Sequence, residues 1–171
     1  MAFIVEDGTG NADATSYVDL DYADAYFLDR GVAEWAAATK DQKKSWLING
    51  TDYTQVVWGR FLIGTPANEG QALHFPAKDA DPYVDDVVPD TLKKAVCEYA
   101  IRSRNGPLIP DPLYEASGFT VVTTKKKVGP IEKEFRHAGS SQQKLIRPYP
   151  FADGYMTPLL RNTGYDRRVT R

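Results

Sequence analysis

Apolar residues recur at helical spacing as far as Asn105-Gly106 and at strand spacing after Gly118, and Pro107, Pro110 and Pro112 mark the change between the two. A chain patterned this way suits neither a uniform bundle nor a uniform sheet; it calls for packed helices joined to an antiparallel element. The clearest helix follows Pro89, whose ring suits a first turn, and carries Leu92, Ala95, Val96, Tyr99 and Ala100 along one face. An earlier helix starts after Asp19, a good N-cap, places Leu20, Ala23 and Phe27 on one side, and stops at Gly31. After a short Ala-rich turn, Val32 to Ala38, Thr39 and Gln42 form a capping box for a second long helix that Gly59 is expected to close. Its stripe is Trp46, Gly50, Tyr53 and Val57, flanked by Leu47. A glycine there costs about 1 kcal/mol against alanine, which argues for a close neighbour at Gly50.

Beyond the prolines, Phe119 to Thr124 is rich in β-branched residues, Val128-Gly129-Pro130 suits a turn, and Ile131, Lys133 and Phe135 alternate with Glu132, Glu134 and Arg136. This predicts a β-hairpin. Residues 60–87 read as a long connection around the patch Gln71-Ala72-Leu73-His74-Phe75-Pro76. The fold class that results is α+β, mostly α: a three- to four-helix bundle with a hairpin in the C-terminal half and extended termini. One domain is expected over residues 1–160, with the helical bundle at 15–106, the hairpin at 118–136 and a short C-terminal helix around 149–160. A basic tail, 161–171, follows and is expected to be disordered on its own.

At 171 residues the chain can bury a core without staples, and its single cysteine, Cys97, has no internal partner. Cys97 falls near the apolar face of its helix, the place of a core residue, and no G-x-S-x-G elbow is present. His74 and His137 lack a second ligand at metal-binding spacing. Asp79, Asp81, Asp85, Asp86 and Asp90 lack the alternation, central glycine and closing glutamate of a calcium loop, and Gly8 and Gly10 lack the Lys-Ser/Thr of a phosphate loop. No enzyme activity, cofactor or metal is expected. With no apolar run of about 20 residues and no basic leader, the expectation is a protein that stays off membranes in a reducing compartment.

Charge is segregated along the chain. Residues 1–38 hold 8 acidic and 1 basic side chains, residues 39–118 hold 11 and 9, and residues 119–171 hold 4 and 11. Such polarity steers head-to-tail association of identical subunits or creates a basic footprint for nucleic acid. The hairpin supplies the densest cations, Lys125, Lys126 and Lys127 with Lys133 and Arg136 across the turn, beside Phe119 and Phe135. Lysines that neutralise phosphates next to rings that stack on bases are the composition of single-strand binders. Lysines also keep a hairpin edge from pairing with its neighbours.

Several segments, in order, resemble the neck proteins of tailed bacteriophages, the head-tail adaptor or head-completion family, including a branch labelled DnaT-like single-stranded-DNA-binding protein. They are Phe3 to Gly10, Asn11 to Tyr17, Ala23 to Phe27 with Gly31, Thr51-Asp52-Tyr53, Gln71 to Pro76, Val88 to Ala100, and Lys127 to Ile131. The resemblance implies a connector subunit in a dodecameric ring that binds the portal protein, extends the channel for the genomic DNA and supports the next neck or tail-completion protein. It would sit at the virion neck after assembly in the host bacterial cytoplasm. Phe75 stands where the family often has tryptophan, and Lys78 follows where an arginine directly after Pro76 is usual. The tail residues Arg161, Tyr165, Arg167, Arg168 and Arg171 are then candidates for portal contact, and Lys125, Lys126, Lys127 and Lys133 for facing the channel or DNA. The alternative is a phage accessory protein that binds single-stranded DNA.

Overall fold

The computed structural model describes residues 2–110, 123–128, 131–136 and 147–161. Two compact units divide the chain: Met1–Leu108 with Pro148–Arg171, and Ile109–Arg147. The first unit holds helices α1 (Leu20–Leu28), α2 (Ala33–Ala36), α3 (Lys40–Tyr53), α4 (Asp90–Ser103) and α5 (Pro150–Met156). It also holds a short antiparallel ladder of β1 (Thr65–Pro66) and β2 (Ala77–Lys78), paired Thr65 to Lys78 and Pro66 to Ala77. The second unit holds β3 (Thr123–Val128) and β4 (Ile131–Arg136). The architecture is α+β with the helices dominant.

Local chemistry sets the helix ends. The Asp19 carboxylate accepts from the Tyr22 N–H at 2.7 Å and caps α1. At the other end Gly31 takes a φ of 62°, while the Val32 and Gly31 N–H groups return to the Phe27 and Leu28 carbonyls. That left-handed residue ends the helix as glycine does most readily. Thr39 and Gln42 close a capping box on α3. The expected close at Gly59 is corrected: α3 ends at Tyr53 and passes into a π-helical turn, Thr54–Trp58, then a 3-10 turn, Gly59–Phe61. Within it the Thr54 hydroxyl donates to the Thr51 carbonyl at 2.7 Å, and the Trp58 indole N–H reaches the Tyr99 hydroxyl at 3.1 Å. Neither side-chain bond is visible in a 3.6-residue pattern.

The core forms where α3, α4 and α5 meet. Leu47, Leu92, Val96, Tyr99, Met156 and Leu159 are buried there, and burying such a side chain contributes about 1.5–3 kcal/mol. Gly50 is the point of closest approach: a Cβ on it would lie 2.6 Å from the Val96 carbonyl oxygen and 3.0 Å from the Ala100 nitrogen. On the far side of α1, Phe27 packs on Trp35 with ring centroids 4.4 Å apart. Residues 60–87, read from sequence as a connection, contain the β1–β2 ladder and a packed turn. Gln71 Nε2 donates to the Leu73, His74 and Pro76 carbonyls, and the buried Tyr17 hydroxyl accepts from the Phe75 N–H at 3.0 Å. The Tyr149 hydroxyl donates to the Leu108 carbonyl at 2.9 Å, so the first unit is closed where residues 109–147 leave and re-enter it.

Candidate nucleic-acid interface

The hairpin's alternating pattern fixes which of its residues work together. β3 and β4 pair antiparallel with Val128 opposite Ile131, Lys127 opposite Glu132, Lys126 opposite Lys133, Lys125 opposite Glu134, Thr124 opposite Phe135 and Thr123 opposite Arg136. Opposite residues of such a ladder share a face, and successive residues alternate between faces. One face therefore carries Lys126 and Lys133 between Val128–Ile131 and Thr124–Phe135 positions, with no acidic residue. The other carries Lys125 and Lys127, each directly opposite a glutamate, with Arg136 beyond them. The three consecutive lysines are thus divided between the faces. Like charges placed directly opposite destabilise a hairpin by a fraction of a kcal/mol to about 1 kcal/mol. Phe119 and His137 lie outside the described residues, as do Gly129 and Pro130 at the turn.

Of the tail candidates, Tyr165, Arg167, Arg168 and Arg171 lie outside the described residues. Arg161 is occupied within the first unit. Its backbone N–H donates to the Phe61 carbonyl at 2.7 Å, its Nε to Leu62 at 2.7 Å and its Nη2 to Gly64 at 3.0 Å. Arg161 is in this way stitched to the turn that follows α3.

The N-terminal glycines surround an anion that the chain itself supplies. Glu6, buried, accepts from the Gly8 and Gly10 N–H groups through Oε1, each at 2.9 Å, and from Asn11 through Oε2 at 2.8 Å. Donors that could cradle a phosphate are already engaged by this carboxylate. Sequence reasoning passed over Glu6 because its partners lie in a loop without periodicity.

The groups with chemical potential elsewhere are enclosed. Cys97 is buried in α4, and that burial pushes its thiol far above the ordinary range. The His74 ring presents Nε2 to the Ile63 carbonyl at 2.9 Å, and burial, with Arg161 nearby, holds its pKa below the usual histidine value. Glu98, also unnoticed from sequence, accepts from the Tyr26 hydroxyl at 2.8 Å and from Arg102 at 2.6 Å. Among the described residues no three His, Cys, Asp or Glu side chains come together as a metal set, and no helix is long and apolar enough to cross a membrane.

Comparison with known families matches residues 1–171 to the family described as "Putative DnaT-like ssDNA binding protein". No curated protein and no solved structure matches the chain.

Proposed function

The chain belongs to the DnaT-like single-stranded-DNA-binding family, and from that membership we propose that it binds a single DNA strand, without catalysing a reaction, through the Lys126–Lys133 face of its hairpin. The observation that carries this reading is the register, which puts two lysines opposite each other on a face free of acidic residues, with Phe135 beside them. Phosphates neutralise the lysine pair, and the ring offers a surface to a base. Lys125 and Lys127, opposite glutamates, contribute less because their field is offset on their own face. Recognition of this kind depends on backbone charge and ring stacking, so it tolerates sequence.

Two variants test this with the same change of net charge. Lys126→Gln with Lys133→Gln should weaken binding to a fluorescent oligo(dT) about tenfold or more and flatten the salt dependence by about 1.4, at roughly 0.7 per phosphate contact. Lys125→Gln with Lys127→Gln should change both much less. Equal losses in the two variants would exclude the face assignment, and no binding by the unaltered protein at low salt would exclude the function.

A second reading is the ring-forming connector beneath a phage portal, with DNA passing through its channel. The net acidic excess of 1–38 and the net basic excess of 119–171 support it, because subunits of that polarity attract head to tail. The neck-protein resemblance supports kinship of fold more than this role. Its segments Phe3 to Gly10, Asn11 to Tyr17 and Gln71 to Pro76 are knitted together by structural bonds, among them Ala72 N–H to the Asn11 carbonyl and Phe75 N–H to the Tyr17 hydroxyl.

A further inference from the structure

The helical unit carries its own combination of rings and cations, apart from the hairpin. Phe151, in the first turn of α5, is 57% exposed. One turn later Tyr155 lies with its ring centroid 5.5 Å away and its plane at 80° to the phenyl ring, so the two rings do not stack on each other. Arg30, just beyond α1, stands beside the Tyr155 hydroxyl and is held over the Tyr26 ring at 3.5 Å, with Nη1 donating to the Tyr26 carbonyl at 2.9 Å. Tyr26 is in turn parallel to Tyr22 at 6.5 Å, and Lys93 Nζ lies 5.6 Å from the Tyr22 ring. The groups from Phe151 to Lys93 form a connected series across α5, α1 and α4.

A single exposed phenylalanine is ordinary, and exposure alone would assign nothing. The guanidinium anchored nearby makes the difference. Asp153 of α5 is engaged by the Tyr99 hydroxyl at 2.6 Å and the Tyr149 N–H at 2.9 Å. Glu98 is taken by Tyr26 and Arg102, and Asp90 by Tyr22 and Lys94. Asp29, next to Arg30, is the exposed C-cap residue of α1. Arg30 itself is fixed by its bond to Tyr26 and remains exposed, so less side-chain freedom is lost when it meets an anion. A ring with an open surface beside an anchored guanidinium matches a ligand of flat aromatic groups on an anionic backbone.

We infer that Phe151, Tyr155 and Arg30 form a second contact for single-stranded nucleic acid on the helical unit, where a base stacks on Phe151 and an adjoining phosphate meets Arg30. The inference rests on the single-strand reading above and adds a site to it. The hairpin supplies most of the charge; this site supplies a further stacking surface.

Binding of the full chain to fluorescent oligo(dT), measured across a salt series, tests it. Phe151→Ala should weaken binding about fivefold to a hundredfold, the range for loss of one stacked base, with the salt slope unchanged because no charge is removed. Phe151→Leu should weaken it similarly, and Phe151→Trp should restore it. Arg30→Gln should flatten the slope by about 0.7. Unchanged affinity in Phe151→Ala, alongside the expected loss in the Lys126/Lys133 variant, would overturn this inference and leave the hairpin reading standing. A Phe151→Ala protein that binds DNA normally but changes its association state in sedimentation would overturn it in favour of a protein contact. Absence of binding by the unaltered chain would overturn both.

Discussion

His74 illustrates how one side chain acquires a pH-dependent role chiefly from burial. Its ring is half-buried against the Ile63 carbonyl, and desolvation lowers its pKa in the folded state from the ordinary 6.5. Between that lowered value and 6.5 the unfolded chain binds more protons than the folded one, so stability falls as pH drops through this window. His74→Gln retains an N–H donor and removes the titration. Melting temperatures taken between about pH 7.5 and about pH 5.5 should therefore fall further for the unaltered protein than for His74→Gln. Parallel curves would show that burial of His74 is not felt by folding. The sequence placed His74 in an apolar patch but not its partner, because Ile63 meets it only through the fold of the 60–87 segment. The partners of Arg161 escaped for the same reason, being carbonyls of a distant segment, whereas Glu6 is satisfied by N–H groups two to five residues on in a loop without periodicity.

Helix contact is decided at Gly50. Alanine there would favour the isolated helix by about 1 kcal/mol. Against that gain, the new methyl would lie 2.6 Å from the Val96 carbonyl oxygen, a backbone atom of α4 that moves only if the helices separate. Overpacking of this kind costs about 1–3 kcal/mol, so Gly50→Ala should be destabilising overall, by roughly 1 kcal/mol. Urea unfolding of the variant measures it; an increase in stability would mean that α3 and α4 part easily. The elements themselves were largely legible. Asp19, Gly31, and Thr39 with Gln42 marked helix ends through local bonds, and the stripe from Leu92 to Ala100 marked the buried side of α4. The π-helical turn after Tyr53 was not, because Thr54 and Trp58 take their bonds from the Thr51 backbone and from Tyr99 on another helix.

For the whole molecule the question is whether single-strand binding is its task or accompanies a place in a particle. Charge segregation suits either, since a connector would also meet DNA, whereas the family membership favours single-strand binding. Location separates them. A tagged protein should be absent from purified, DNA-filled particles and present in infected cells if single-strand binding is its role. Gold label at the particle neck would instead establish the connector reading and make the lysine face part of a channel.

By itself the sequence determined the helix caps, the apolar face of α4, the α+β class and the alternation of the hairpin, because each depends on neighbours within a few residues. Even the division of the lysines follows from that alternation once the turn sets the register. Tertiary structure alone decided that Arg161 is tied to the turn after α3, and that Tyr155, packed against Phe151, meets Arg30. Those two arrangements join residues far apart in the chain, and their partners are brought together by tertiary packing, which local spacing does not encode.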